Sequence, residues 1–465
     1  MIAPGADRSV TPRRSPHVAA FLSFLWPGLG HAYTRRWRPA ALFGIPIVIV
    51  WLIFLAQLAG GIENLAVVLF TPSSALTIAI LVLLIGLWRL VAIADSMIGF
   101  GIHSPWRRGP TAATFAGLAV VVLVTHVTLG YVAWAFYDAG SRIFTAENSP
   151  DNTPSPPPGS TPNASDELAA TPLATPETAN SRINILLLGV DSAEEREHSL
   201  TDTLMVVSID PVTNDVAMIS FPRDISNFPM PDGRIFTGKI NSLMTAARNH
   251  PDQYPDGPLP TVISELGYLL GVPIHYYAAI DLDGFRRMID LVGGVTIDNP
   301  KAINDPRYDW LDSDKHGFYL SAGKHTLDGK TALAYVRSRQ GAGDNDFNRA
   351  RRQQQVLVAL RGKLTSPEML PKLTDILAAA GDSIRTNFPS DRVGEMVTIA
   401  QKVDDSKIFR VVLGPSKYAT HPPNNTTNGV YTLKLKMDAL AELSIKIFGD
   451  QSAYLKGAVL PAAQP

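Results

Sequence analysis

Arginines and aspartates crowd at three places in the second half of the chain, in patterns that suit the handling of phosphate. In Ala334-Tyr335-Val336-Arg337-Ser338-Arg339 the residue types alternate, and read as a strand the run places Tyr335, Arg337 and Arg339 on one face. Shortly afterwards the run Asp346 to Gln354 opens a helix on which Arg349 shares a face with Arg352 or Gln353. A helix N-terminus itself favours an anion. The third place is Arg223-Asp224, just after Pro222 at the end of an expected strand, where open α/β sheets carry ligand loops. Guanidinium groups stay protonated and bind phosphate oxygens in pairs, so such clusters fit a pyrophosphate. Asp191 and Asp202, one after a strand and one before the next, would cancel that field unless they hold a cation. A divalent ion, Mg²⁺ or Mn²⁺, shared between these carboxylates and the substrate phosphates is therefore expected. The competing reading is a set of surface ion pairs and a solvated helix face.

The elements that must position these residues form an alternating pattern. Strands are expected at Ile183 to Gly189, Thr203 to Asp210 and Asp215 to Phe221, the last two joined by the turn chemistry of Asp210-Pro211-Val212-Thr213-Asn214. A helix over Leu259 to Leu270, a strand Ile274 to Ile280, a helix Leu282 to Val292 closed by Gly293-Gly294, and a strand Val295 to Ile297 follow. Ala334 to Arg339 is expected as a strand, then a long helix from about Asn345 to Lys363, a strand Phe409 to Leu413 and a last helix Met437 to Phe448. Alternation of this kind indicates an α/β sheet covered by helices. Gly329-Lys330-Thr331 resembles the end of a phosphate-binding loop, but its upstream Gly323 is misplaced by one residue and no strand is expected to lead into it. It is expected to be a helix start.

The first third is of another kind. Ala40 to Ala59, Ser73 to Ala94 and Ala112 to Phe136 are apolar and long enough to cross a hydrocarbon layer, while 17–33, broken by Pro27, Gly28 and Gly30, reads as interfacial or re-entrant. Arg8, Arg13, Arg14, Arg35, Arg36 and Arg38 precede the first span, and Arg107 with Arg108 lie between the second and third. The positive-inside rule then puts the N-terminus in the cytoplasm and everything after about Tyr137 outside the cell membrane. Arg89 and Asp95 are expected to snorkel or pair locally. Residues 145–180, rich in Pro, Ser and Thr, make a semi-rigid spacer. Four parts result: membrane region 1–144, linker 145–180, globular domain 181–450 and tail 451–465.

Composition excludes several classes. Without cysteine there is no thiol nucleophile and no Cys-ligated metal. The net charge of −1 hides a surplus of ten Arg over four carboxylates, Asp7, Glu63, Asp95 and Asp138, in residues 1–144. A basic surplus around apolar segments, not on the globular domain, argues against a nucleic-acid partner.

The segment Ile183 to Leu364, and more loosely to about Gly449, resembles the catalytic domain of the LytR-CpsA-Psr family. The likeness rests on Asn184 to Asp191, Thr201-Asp202-Thr203, Phe221-Pro222-Arg223-Asp224, Lys239-Ile240-Asn241, Asp290 to Val295, Leu327-Asp328-Gly329, Tyr335 to Arg339 and the Asp346 to Gln354 run, all in order. The resemblance implies an α/β/α sandwich with a long apolar tunnel for a polyprenyl chain, a charged mouth for its pyrophosphate, and transfer of a phosphoglycopolymer to a peptidoglycan hydroxyl. It implies metal binding by Asp191 and Asp202, and phosphate binding or charge neutralisation by Arg223, Arg337, Arg339, Arg349 and Arg352. Lys239, Asn241, Asp224, Asp346 and Gln353 would be supporting groups, with Asp224 and Asp346 the candidates for general base. The family often has Arg where this chain has Leu200, so one phosphate contact is open. Hydrolysis of the lipid pyrophosphate and non-catalytic lipid binding are the alternatives.

Overall fold

The computed structural model describes residues 14–98, 109–144, 181–190, 201–310, 316–421 and 431–457, with backbone alone at Val190, Thr201 and Asp202. The linker 145–180, Asp191 and Leu200 lie outside the described residues. The chain divides into two compact units, Met1–Tyr137 and Asp138–Pro465.

The N-terminal unit is helical. The 17–33 stretch forms two short helices, α1 (Pro16–Leu25) and α2 (Leu29–Tyr33), consistent with its interruption by Pro27 and Gly28. Three helices are long and apolar enough to span a membrane: α3 (Trp37–Ala59), α5 (Pro72–Ile98) and α6 (Gly109–Ile143), with α4 (Gly61–Phe70) between the first two. Each outruns the expected segment at one or both ends, and α4 falls where a loop was expected. Charges within this unit pair locally, as expected. Asp95 accepts from His31 Nε2 at 2.9 Å and from Arg36 Nη1 at 3.0 Å, while Arg89 donates to the Phe24 carbonyl and covers its ring.

In the C-terminal unit the apolar run after Arg182 becomes β1 (Ile183–Val190), followed by β2 (Thr201–Ile209) and β3 (Val216–Ser220). A hairpin of β4 (Ser226–Pro229) and β5 (Ile235–Lys239) leads to α7 (Leu243–Asn249) and α8 (Pro258–Leu270). Next come β6 (Tyr276–Asp281), α9 (Leu282–Leu291), β7 (Val295–Asn299), β8 (Ile303–Asp309), β9 (His316–Leu320) and β10 (Gly323–Leu327). The chain continues through α10 (Gly329–Arg337), α11 (Asp346–Leu364), α12 (Leu373–Ser383), β11 (Ile384–Thr386), α13 (Val393–Lys402), β12 (Phe409–Val412) and, near its end, α14 (Met437–Phe448).

Among the described residues the main sheet has the order β11-β6-β1-β2-β3-β12. Period-two alternation in β1 sorts its side chains. Leu186 and Leu188 pack into the large core with Leu266, Leu269 and Leu270 of α8 and Leu440 and Leu443 of α14. Leu187 and Gly189 face the other layer, made by α9, α10 and α11. The unit is the expected α/β/α sandwich.

One element differs. Ala334 to Arg339 is not a strand: it is the end of α10, which starts at Gly329 with Asp328 as its cap, Oδ1 accepting from Thr331 N at 2.7 Å. A short apolar run cannot be assigned by alternation, and here the consecutive residues Ala332 to Val336 are all buried, in a helix covered on more than one side. The helix start was read correctly. Glycine is required there, because a Cβ on Gly329 would lie 2.2 Å from the Arg286 carbonyl oxygen. A strand, β10, does lead into it, contrary to expectation, yet a carboxylate occupies the cap and the turn is a plain helix entry.

Glu265 of α8 is fully buried with neither carboxylate oxygen hydrogen-bonded among the described residues. Burial, with a smaller push from Asp232, raises its pKa to about 8. The folded state therefore holds this proton more tightly than the unfolded chain does, and stability falls as pH climbs from the ordinary 4.5 toward 8. At pH 7 the penalty is roughly 3 kcal/mol. In Glu265→Gln the unfolding midpoint of the C-terminal unit should be nearly flat across that interval, while wild type declines; parallel curves would refute this.

Candidate active site

Strands β1, β3, β6 and β12 run in one direction, since β1 pairs parallel with β6, β3 parallel with β12, and β2 runs antiparallel between β1 and β3. Their carboxyl ends share an edge of the sheet. Arg223 and Asp224 follow β3 there. Val190, the last residue of β1, pairs with Thr201, the first residue of β2, at this end of the sheet.

Behind that edge lies an ionic network. Asp346, first residue of α11, forms an ion pair with Arg349, its Oδ1 2.8 Å from Nη2, and stands 3.6 Å from Arg223 Nε. Asp224 accepts from Lys239 Nζ at 2.5 Å and lies 4.0 Å from Arg223 Nε. Asn241, two residues on from Lys239, is buried in a short 3-10 turn. Burial pushes the Asp346 carboxyl above the usual carboxylate range, against the opposing pull of Arg349 and Arg223. Arg352, expected to share a face with Arg349, instead pairs with Asp344 at 2.9 Å and donates to the Ser338 carbonyl.

Between β1 and β6 on one side and α9, α10 and α11 on the other is a cavity of about 430 Å³. Arg349, Gln353, Leu357, Leu360 and Leu364 of α11 line it as one helical stripe, polar at the N-terminal end and apolar thereafter. That stripe is about 22 Å long at the usual helical rise. Ala278, Ile280, Phe285 and Leu333 continue the apolar wall. The polar end gathers Arg307, Arg337, Arg339, Gln340, Arg349 and Gln353. Arg307, Arg337 and Arg339 make no ion pair among the described residues. Arg337 Nη1 is moreover buried without a hydrogen-bond partner among them. A buried, unpaired guanidinium nitrogen is costly unless an anion satisfies it.

The sequence reading thus separates into two groups. Arg337, Arg339, Arg349 and Gln353 reach one cavity, although the first two come from a helix end and not a strand. Arg223, Asp224, Lys239 and Asp346 form the network that Arg349 joins to it. Asp191 lies outside the described residues, and of Asp202 only the strand position is described. Two residues were missed. Asp305 of β8, almost fully buried, accepts at Oδ2 from Ser338 Oγ (2.8 Å) and from the backbone N–H groups of Arg339 and Gln340 (3.1 Å each), mooring the turn that carries the cations. Arg307 follows it into the mouth. The only hint in the sequence is that Arg307 follows a proline, as Arg223 does.

Residues 159–447, well over half of the chain, match the model of the LytR_cpsA_psr family. The chain belongs to the LytR-CpsA-Psr family. A family of unknown function (DUF6677) matches residues 18–143. Curated relatives of this LytR-CpsA-Psr chain include two named polyisoprenyl-teichoic acid–peptidoglycan teichoic acid transferase TagU. That of Halalkalibacterium halodurans is 30% identical over 220 residues, 47% of this chain and 65% of the relative. That of Oceanobacillus iheyensis is 33% identical over 219 residues, 46% and 62%. The match thus spans just under two thirds of these relatives' length. Among solved structures, B. subtilis TagV shares 27% identity at a TM-score of 0.46, covering 59% of this chain and 99% of its own.

Proposed function

We propose that this LytR-CpsA-Psr protein is a membrane-anchored phosphotransferase moving a phosphoglycopolymer from a polyprenyl-pyrophosphate carrier to a peptidoglycan hydroxyl. The observation that carries the reading is the apolar cavity ending in Arg307, Arg337 and Arg339, which have no carboxylate partner among the described residues. An isoprenoid tail suits the Leu357-Leu360-Leu364 stripe, and a diphosphate suits Arg307, Arg337 and Arg339. In the reaction the acceptor oxygen bonds to the phosphorus that bears the glycopolymer, the bond from that phosphorus to the bridging oxygen breaks, and polyprenyl phosphate leaves. The acceptor's proton goes to a carboxylate of the network, for which Asp224 and Asp346 are the candidates; the raised pKa of Asp346 favours it as the acceptor. Arginines fixed in place stabilise charge on the transferring and leaving oxygens without reorganisation.

Asp191 and Asp202 would hold a Mg²⁺ or Mn²⁺ ion. In support, Val190 and Thr201, the chain neighbours of these two aspartates, pair with each other, and Gly189 and Thr203 line the cavity. Such an ion supplies positive charge to the phosphate oxygens. Three spanning helices anchor the protein, and the arginines before α3 favour a cytoplasmic N-terminus and an extracytoplasmic catalytic unit.

The test combines purified protein, a polyprenyl-pyrophosphate saccharide, Mg²⁺ and peptidoglycan oligomers. Covalent saccharide on the oligomer is expected; free saccharide alone would mean a hydrolase, and no turnover a lipid binder. Leu357→Trp, which fills the apolar stripe, should weaken carrier binding by roughly 10-fold or more, the scale of about 1.4 kcal/mol. Unchanged carrier affinity would place the tail elsewhere.

A further inference from the structure

Helix α11 has a second working face. Turned about 150° from the lipid-facing stripe by the helical period, Asn348, Arg351, Arg352 and Gln355 line a different cleft, of about 540 Å³. The β7–β8 connection, the Gly341–Asp344 segment and Arg410 of β12 complete it. Its character is opposite to that of the lipid cavity. Lys301, Arg351, Arg352 and Arg410 meet only two carboxylates, Asp298 and Asp344. Arg352 is bound to Asp344, whereas Lys301, Arg351 and Arg410 are exposed and make no ion pair among the described residues. The size lies within the ~300–1,000 Å³ of ordinary small-molecule sites.

Both spaces meet at one residue. Arg352 lines the cleft and donates to the carbonyl of Ser338, whose neighbours Arg337 and Arg339 line the mouth of the lipid cavity. Phosphoryl transfer needs the attacking oxygen roughly in line with the leaving one. With polyprenyl phosphate leaving toward the apolar stripe, the attacking hydroxyl must arrive from the side away from it. The cleft is on a different side of α11, is more polar than the lipid cavity and is cationic. We infer that this cleft seats the acceptor, a glycan strand bearing carboxylates, with Lys301, Arg351 and Arg410 as its carboxylate contacts. The inference rests on the transfer reaction proposed above.

Its test is binding, which needs no turnover. Full-length protein in detergent is titrated with a fluorescent peptidoglycan oligosaccharide that retains its carboxylates. Lys301→Glu and Arg410→Glu, both at exposed positions, should each weaken binding by roughly 10-fold, with Lys301→Arg within about 2-fold of wild type, as expected for charge contacts. Affinity for the polyprenyl-pyrophosphate saccharide should not move, and in the transfer assay the KM for acceptor should rise at constant kcat. No binding by wild type, or equal binding by the charge-reversed proteins, overturns the inference. Displacement of the glycan by a polyol-phosphate oligomer, with donor affinity lost in the variants, would assign the cleft to the donor polymer and also overturn it. Loss of glycan binding in the variants with no covalent product from wild type would leave the glycan site standing while the transfer reaction falls.

Discussion

Arg337→Ala and Arg339→Ala should each lower the transfer rate by about two to three orders of magnitude, equivalent to about 3 kcal/mol of transition-state stabilisation. Neither side chain is committed to a carboxylate among the described residues, and Arg337 keeps a buried nitrogen without an acceptor, so both are poised for an external anion. Folding should not suffer: neither substitution breaks an ion pair among the described residues, and Arg337→Ala should raise stability by removing an unsatisfied buried nitrogen. Lysine at either position retains the charge but not the planar two-pronged donor, and should recover only part of the rate. If both arginines act on one diphosphate, as proposed, the double variant should fall short of the product of the single effects. The measurement is release of polyprenyl phosphate by purified variants alongside their unfolding midpoints. Undiminished release by both single variants would remove these residues from the mechanism.

Asp305→Ala should damage stability and rate together. This carboxylate accepts at Oδ2 from Ser338 Oγ and two backbone N–H groups, and at Oδ1 from Arg307 N at 3.2 Å. Its removal leaves buried donors unsatisfied, a loss of about 3–5 kcal/mol when bonds to a charged group are broken together. The turn it moors carries Arg339, and the arginine beside it, Arg307, lines the same mouth. A release of that turn should lower kcat by about 10-fold or more even at temperatures where the variant is folded. Asp305→Asn keeps the shape and one acceptor oxygen, so it should restore most of the stability and part of kcat. A variant that is unstable yet fully active when folded would show that Asp305 serves the fold alone.

Much of this architecture is legible in the residues because the signals are local. The apolar run at Ile183, the turn at Asp210 to Asn214, the capping glycines after Val292 and the period of α11 each specify an element from within a few residues. The network around Asp346 is partly legible for the same reason, since Arg349 lies one helical turn away. The rest depends on distant partners. Whether Ala334 to Arg339 is helix or strand turns on the cap at Asp328 and the close contact of Gly329 with α9, not on its own alternation. Asp305 looks like a loop acid beside Pro306, and nothing nearby reveals that its acceptors serve Ser338 and Arg339. Arg352 likewise could not be separated from Arg349 by sequence, because both sit on the buried side of one helix and only the tertiary neighbours assign them to different spaces.

The mooring of the Ser338 turn by Asp305 joins positions 33 to 35 residues apart. Contacts of that span are closed late, after hairpins and single helices have formed. A chain whose Ser338 turn is not yet moored therefore carries these arginines dispersed. On the proposed reading, tight capture of an anionic ligand would begin only once that mooring is complete.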